Sequence, residues 1–176
     1  IPGTLGGAVV MNAGAYGGEM KEVITSVLVL DADGNQKELS VEELDLAYRH
    51  SCIPEKGYVV LSAKLKLERG DVSQIRAKMA ELREQRVTKQ PLEYPSAGST
   101  FKRPEGYFAG KLIQDAGLKG YRVGDAMVSE KHSGFVINVG SATAKDVRQL
   151  MTDVDTIVYE KFGVHLEPEV RLIGEF

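Results

Sequence analysis

Residues 143–162, TAKDVRQLMTDVDTIVYEKF, contain the most regular helical periodicity in the chain. Apolar residues recur there at spacings of three and four, and polar residues fill the positions between them. Thr143 stands directly before the run and predicts its N-terminal cap. A helix with one apolar face gains its stability by packing, and we expect this one to pack on a sheet. The face consists of Val147, Leu150, Met151, Val154, Ile157, Val158 and Phe162.

The rest of the second half predicts an α-β-β-α-β order around that helix. Ala109–Ala116 is expected as a short helix that ends at Gly117, and Leu166–Ile173 as a terminal strand. Two strands joined by a polar turn are expected between the helices, at Arg122–Ser129 and Gly134–Val139. Residues 89–104, KQPLEYPSAGSTFKRP, have three prolines and no clear period, which indicates a loop near a domain boundary.

The first half predicts strands, with one long helix after them. Val23–Leu30 and Gln36–Leu39 flank an Asp-Gly turn and indicate a hairpin, followed by a short capped helical turn at Ser40–Leu46. Tyr58–Leu67 alternates and predicts a half-buried strand, with Leu61, Ala63, Leu65 and Leu67 on one face. A helix is expected from Val72 to about Val87. The fold class is therefore α+β, with domains predicted at residues 1–88 and 89–176.

Composition excludes several functional classes. The 176 residues have a net charge of −3, and their 22 basic residues are dispersed, which argues against a nucleic-acid or polybasic membrane surface. Cys52 is the only cysteine, so neither an internal disulfide nor a cysteine-based zinc site is possible. No apolar run approaches the length of a membrane helix. A reducing, cytoplasmic location is the expectation.

The opening stretch, residues 1–19, IPGTLGGAVVMNAGAYGGE, is rich in glycine. Its spacing fits neither a dinucleotide-binding fingerprint nor a phosphate-binding P-loop. Glycines let backbone amides face an anion or a flat ring without an intervening Cβ. Judged by glycine content alone, a structural loop is favoured over a ligand-binding loop.

Three other clusters have ordinary interpretations when each is taken alone. Tyr48-Arg49-His50-Ser51 is typical of a surface ion pair, and the serine of Gly98-Ser99 is typical of a turn hydroxyl. An acid in the apolar segment Leu166–Arg171 needs a partner or a site. The three histidines lack the spacing of metal ligands, and no metal site is expected.

Taken together and in this order, the four motifs resemble the UDP-N-acetylenolpyruvoylglucosamine reductase family, flavoenzymes of bacterial peptidoglycan synthesis that affect cell shape and division. The motifs are the opening stretch, YRHS at 48–51, GSTFKRP at 98–104 and LEPEVRLIG at 166–174. The short span between Ser51 and Lys89 resembles the family type that lacks a tyrosine-bearing substrate lid. The resemblance implies a partial FAD-binding domain of the PCMH/vanillyl-alcohol-oxidase-like kind, followed by an α/β substrate-binding domain. The last strand is expected to pack back on the FAD domain.

The resemblance also implies the reaction and the residues that perform it. NADPH reduces FAD, and flavin N5 then gives hydride to C3 of the enolpyruvyl group of the UDP-sugar. Arg49 and Glu169 would meet the charge that develops, and Ser99 would deliver a proton to C2. The implied FAD contacts are Ile1, Gly3, Thr4, Gly6, Gly7, Ala8, Asn12 and Gly14. The implied substrate contacts are Tyr48, Arg86, Lys89, Gln90 and Arg103, the last in a position where the other family type has asparagine.

Family members carry a further FAD-binding region before the first motif. The chain is therefore expected to be a C-terminal fragment that binds FAD poorly and is inactive alone; a monomer is the simplest expectation. Two alternatives stay open at this point: a non-catalytic UDP-sugar-binding module, and another FAD oxidase of the same broad fold. Flavin colour would separate the reductase from the module, and turnover of the enolpyruvyl substrate would separate it from the oxidase.

Overall fold

The computed structural model describes residues 3–175, which form two compact units. The first unit extends to Lys78 and the second begins at Met79. Both contain helices and antiparallel strands, so the α+β class is confirmed. The division falls inside helix α2, Val72–Lys89, which extends two residues beyond its expected end. The boundary predicted at residues 88/89 stays a prediction.

The first unit is built on a three-stranded antiparallel sheet. It begins with a short helix α1 (Leu5–Val10) and a small hairpin of β1 (Gly14–Ala15) and β2 (Gly18–Glu19). The sheet has the order β4-β3-β5, with β3 at Ile24–Leu30, β4 at Gln36–Ser40 and β5 at Val59–Leu65. The predicted β3–β4 hairpin is confirmed. The core of the first unit comprises Val9, Ile24, Val27, Val29, Leu39, Leu44, Cys52 and Ile53.

The opening stretch is not a loop throughout. Thr4 caps α1, because its hydroxyl oxygen accepts a hydrogen bond from the Gly7 N–H at 3.0 Å. This cap and the β1–β2 pairing give regular structure to a segment whose glycines indicated a loop. Ser40–Leu46 is a capped turn, as expected, with reciprocal hydrogen bonds between Ser40 and Glu43, but it forms no regular helix.

Strand β5 is present, but the expected burial of its apolar side chains is wrong. Leu61, Leu65 and Leu67 are exposed, whereas Val60 and Ala63 pack against the core. The reason is a bulge: Leu28 lies opposite Ser62 and Val29 opposite Val60, so Leu61 is an extra residue in β5. A bulge changes which side chains share a face. Val60 and Ala63, which lie three residues apart, therefore both pack against the core of the first unit.

The second unit has a four-stranded antiparallel sheet in the order β6-β9-β8-β7. Its strands are β6 (Ser96–Ser99), β7 (Arg122–Val123), β8 (Ala126–Val128) and β9 (Phe135–Asn138). Helices α3 (Ala109–Asp115) and α4 (Ala144–Phe162) share the core with this sheet, which confirms the packing predicted for α4. Thr143 and Asp146 form a capping box at the start of α4, and Gly163 ends it in the left-handed conformation, with φ 68°.

Three predictions for the second unit are wrong. Strand β6 lies in the segment expected to be a loop, and it forms because it pairs with β9. Arg122–Ser129 is a hairpin instead of one strand, since Gly124 adopts a left-handed turn conformation with φ 55°. The terminal strand is reduced to a single bridge between Phe101 and Pro168.

Candidate functional site

Arg49 lies in a tight turn of the first unit. Its backbone is left-handed, with φ 54°, in a turn that hydrogen bonds between Ala47 and His50 close. A non-glycine residue in this conformation costs free energy and persists only where its surroundings hold it. The guanidinium Nη2 donates to the Gly14 carbonyl at 3.2 Å, and its carbon lies 5.0 Å from the centre of the Tyr48 ring. The turn thus brings Arg49 to the β1–β2 hairpin.

Two buried polar groups tie this turn to the opening stretch. The Ser51 hydroxyl donates to the Val10 carbonyl at 2.5 Å. The Asn12 amide nitrogen donates to the Ala47 carbonyl at 3.0 Å, and Asn12 is completely buried. Motifs that lie about 35 residues apart in sequence are therefore neighbours in the first unit.

Some glycines of the opening stretch are required by the packing around them, and others are not. At Gly14 a Cβ would lie 2.8 Å from the Cβ of Glu19, so the hairpin itself requires glycine. At Gly6, within α1, a Cβ would make only ordinary contacts with Val60 and Thr4, and the backbone has no positive φ. Glycine inside a helix is less favourable than alanine by about 1 kcal/mol. A glycine that the protein's own packing does not require fits a backbone surface kept clear for a flat ligand.

The other residues implied to contact FAD lie beside these glycines. Gly3 is exposed, and nothing lies within 4 Å of a Cβ built on it. Gly7 donates to the Thr4 side chain, and Ala8 donates to the Thr4 carbonyl at 3.0 Å. The expectation for Ile1 lies outside the described residues.

The segments that carry Ser99 and Glu169 are adjacent in the second unit. Ser99 ends β6 and is exposed, and the next residue, Thr100, accepts a hydrogen bond from the Glu169 N–H at 2.8 Å. The Lys102 N–H donates to the Glu167 carbonyl, also at 2.8 Å. Pro168 stands between these two bonds, where its lack of an N–H removes nothing from the ladder. The two motifs are therefore adjacent antiparallel segments.

Thr100 holds these segments to the sheet, a role that sequence reasoning missed. Its hydroxyl oxygen accepts a hydrogen bond from the buried Val136 N–H at 2.9 Å. A cavity of about 230 Å³ lies beside it, lined by Thr100, Val136, Val170 and other residues. This cavity lies on the second unit near the Ser99 and Glu169 segments.

The residues predicted to contact the nucleotide diphosphate fall at two places on the second unit. Arg86, Lys89 and Gln90 lie at the C-terminal end of α2, where the Gln90 N–H donates to the Arg86 carbonyl at 2.9 Å. Lys131, which sequence reasoning did not single out, donates to the Val87 carbonyl at 3.1 Å and lies 3.6 Å from Glu93. A lysine on the last carbonyls of a helix stabilises that end. It therefore fixes the turn that carries Lys89 and Gln90.

Arg103 is positioned by aromatic neighbours. Its guanidinium carbon lies 3.9 Å from the centre of the Phe108 ring, and its Nε donates to the Tyr107 carbonyl at 3.3 Å. The Phe108 ring and the Tyr107 carbonyl together fix the position of the Arg103 guanidinium.

The histidines have structural surroundings. His132 Nδ1 accepts a hydrogen bond from the Gly134 N–H, and burial lowers the pKa of His132 below its ordinary value. His165 stacks on Tyr159 and pairs with Asp155. Within residues 3–175, no group of three acidic, histidine or cysteine side chains is arranged to hold a metal ion.

Comparisons with protein families match both ends of the chain. The model of the UDP-N-acetylenolpyruvoylglucosamine reductase C-terminal domain matches residues 90–173, and a model of an FAD binding domain matches residues 1–40. None of the helices described in residues 3–175 is long and apolar enough to span a membrane.

Individual proteins match the whole chain. A UDP-N-acetylenolpyruvoylglucosamine reductase from Agathobacter rectalis is 66% identical over 176 residues, covering 100% of this chain and 56% of the relative. The protein of that name from Caldanaerobacter subterraneus is 59% identical over 175 residues, covering 99% and 58%. The crystal structure of the enzyme from Thermus caldophilus matches with a TM-score of 0.82 and 42% identity, covering 97% of this chain and 61% of that one. The chain thus spans a little over half the length of these relatives.

Proposed function

This chain belongs to the UDP-N-acetylenolpyruvoylglucosamine reductase family, and on that basis we propose that it serves the reduction of UDP-N-acetylglucosamine enolpyruvate to UDP-N-acetylmuramate. The reaction would use NADPH and FAD and would supply peptidoglycan synthesis. By the same proposal the protein is a cytoplasmic monomer whose product supports cell shape and division.

The observation that carries this proposal is the pairing of the Ser99 and Glu169 segments. The Glu169 N–H donates to the Thr100 carbonyl, so a hydroxyl and a carboxyl from distant motifs lie on adjacent segments of one unit. A reduction across a carbon–carbon double bond needs a proton at one carbon and stabilised charge beside it. A hydroxyl next to a carboxyl-bearing segment is suited to that requirement.

Each residue then has a chemical task. FAD, when bound and reduced, supplies hydride for C3 of the enolpyruvyl group. Ser99 donates a proton at C2, and its hydroxyl is acidic enough only because the accepting carbon is strongly basic. Arg49 would supply positive charge opposite the negative charge that develops beside the substrate carboxylate, and Glu169 would contribute by a hydrogen bond donated from its carboxyl group.

The binding residues follow from the same proposal. Gly3, Thr4, Gly6, Gly7, Ala8, Asn12 and Gly14 belong to the segment that would face FAD. Tyr48, Arg86, Lys89, Gln90 and Arg103 would contact the substrate. Arg103 is suited to the diphosphate because a guanidinium binds phosphate oxygens in a bidentate manner.

The proposal is tested in a full-length protein that carries this chain, by following the two half-reactions separately. In Ser99→Ala we expect NADPH to bleach the flavin at the unmodified rate, because Ser99 takes no part in that step. Reoxidation of the flavin by the enolpyruvyl substrate should fall by roughly 10²–10⁴-fold, the usual loss when a general acid is removed. Stopped-flow absorbance of the flavin measures both steps.

Ser96→Ala is the matched control, because Ser96 is the first residue of β6 and its hydroxyl accepts a local turn hydrogen bond from the Gly98 N–H. This variant should reoxidise within twofold of the unmodified protein. An unchanged reoxidation rate in Ser99→Ala would show that Ser99 does not supply the proton. Failure of the enolpyruvyl substrate to reoxidise the unmodified protein would reject the proposed function itself.

A further inference from the structure

Asn12 joins three segments of the first unit. Its amide nitrogen donates to Glu19 Oε2 at 2.6 Å and to the Ala47 carbonyl at 3.0 Å, and its amide oxygen accepts from the Lys21 N–H at 2.9 Å. The side chain is completely buried, and its backbone adopts φ 44°. A buried amide with donors and acceptors both engaged sets the relative position of its neighbours. These neighbours are the β1–β2 hairpin and the turn that carries Arg49.

Glu19 is the charged member of this cluster. It pairs with Gly14 across the hairpin, and its carboxylate lies 2.9 Å from Lys21 Nζ as well as accepting from Asn12. The Lys21 hydrogen bond lowers the pKa of Glu19 below its ordinary value, and Asn12 and the positive charge of Arg49 act in the same direction. Glu19 is therefore ionised at neutral pH.

Arg49 is held at the same hairpin from the other side. Its Nη2 donates to the carbonyl of Gly14, the residue paired with Glu19, and Ala47, two residues before it, is held by Asn12. The backbone of Arg49 is left-handed, so the turn depends on such contacts to keep this conformation. The backbone of the turn thus contacts Asn12, and the Arg49 side chain contacts Gly14, the residue paired with Glu19.

We infer that Asn12 and Glu19 are positioning residues, which act through Arg49 by fixing the direction of its guanidinium. The buried amide sets the backbone of the turn, and the carboxylate supplies a fixed negative charge beside the hairpin carbonyl that Arg49 binds. The inference rests on the proposed function for its consequence, since a preorganised cation stabilises developing charge only where it is aimed correctly. By this inference Asn12 contributes to the reaction of the substrate by positioning Arg49, a role that differs from direct contact with FAD.

Glu19→Gln removes the charge and keeps the shape, while the amide oxygen still accepts from Asn12. In the full-length protein we expect bleaching by NADPH to be unchanged and reoxidation by the enolpyruvyl substrate to slow about tenfold. This is less than the roughly hundredfold loss that a misplacement of about 1 Å can cause. Glu22→Gln, an exposed acid in the same segment, is the matched control and should lose less than twofold.

A double-mutant cycle with Arg49→Lys separates positioning from a structural effect. If Glu19 acts through Arg49, Glu19→Gln should lower the reoxidation rate by less than about twofold in the Arg49→Lys background. The reason is that substitutions at interacting residues do not have additive effects. An equal loss in both backgrounds, or no loss in the single variant, overturns the inference.

Side-chain NMR of ¹⁵N-arginine-labelled full-length protein gives a readout that is independent of turnover. Restricted rotation of the Arg49 guanidinium should be lost in Glu19→Gln and kept in Glu22→Gln. An unchanged Arg49 signal in Glu19→Gln overturns the inference. If the unmodified protein is not reoxidised by the enolpyruvyl substrate, the proposed function fails, and this measurement still decides whether Glu19 positions Arg49.

Discussion

Replacing Thr100 by valine removes one hydrogen-bond acceptor from the second unit while keeping the side-chain shape. Thr100 is 2% exposed, and its hydroxyl oxygen accepts from the Val136 N–H at 2.9 Å, in a place where β6 and β9 shift register. The Thr100 N–H donates in turn to the Gly134 carbonyl at 2.9 Å. The Thr100 hydroxyl thus serves as the acceptor that a strand carbonyl would otherwise provide for the Val136 N–H. It does so at the irregular end of the sheet, between Ser99 and the bridge to Pro168.

The cost follows from leaving the Val136 N–H buried without an acceptor. Such a group destabilises a protein by about 1–3 kcal/mol. For a unit of this size each kcal/mol lowers Tm by roughly 4–8 °C. Thr100→Ser, the matched control, keeps the acceptor and loses one methyl group, which costs about 0.8 kcal/mol.

Thermal unfolding followed by circular dichroism measures both variants, because the chain has seven tyrosines and no tryptophan for fluorescence. Amide hydrogen exchange at Val136 gives the local readout, and its protection should fall in Thr100→Val and persist in Thr100→Ser. Unchanged exchange at Val136 in the valine variant, or an equal loss of protection there in the serine variant, would refute the assigned role of the hydroxyl.

Two further changes test the electrostatics and a helix end. Lys37 and the Asn35 N–H hold the pKa of Asp31 at about 2, below its ordinary value of about 3.9. The ionised carboxylate therefore stabilises the fold above pH 4, and this contribution is lost as pH falls towards 2. Tm of Asp31→Asn should lie below that of the unmodified chain at pH 7 and converge with it by pH 2; a constant difference would contradict this. Thr143→Ala should destabilise α4 by about 0.5–2 kcal/mol in urea unfolding, since Thr143 and Asp146 cap each other, whereas Thr152→Ala in mid-helix should not.

Local signals were sufficient for the elements whose geometry depends on near neighbours in sequence. The spacing of Leu150, Val154 and Val158 and the cap at Thr143 predicted α4, and all three apolar side chains are completely buried. The Asp-Gly turn at 33–34 predicted the β3–β4 hairpin. Gly117, with φ 78°, follows the end of α3 as expected. In each case the relevant contacts lie within a few residues.

Candidate site residues were assigned by motif, but their surroundings were not predicted. Ser99 and Thr100 lie in one motif and Glu169 in another. Nothing in the sequence indicates that the Glu169 N–H donates a hydrogen bond to the Thr100 carbonyl. Glu19 closes the opening glycine-rich stretch, and its link to Asn12 becomes visible only when the hairpin folds. Lys131 lies more than 40 residues from the helix end that it stabilises.

The sequence by itself determined the α+β class, the long helices, the β3–β4 hairpin and the order of the four motifs. Tertiary structure alone decided the existence of β6, which has few residues that favour a strand and forms by pairing with β9. It also decided the burial of β5, where one extra residue at Leu61 reverses the pattern of alternation. The physical reason is the same in both cases: strand pairing and bulges are set by hydrogen bonds between distant segments, whereas a helix is specified by residues within one or two turns.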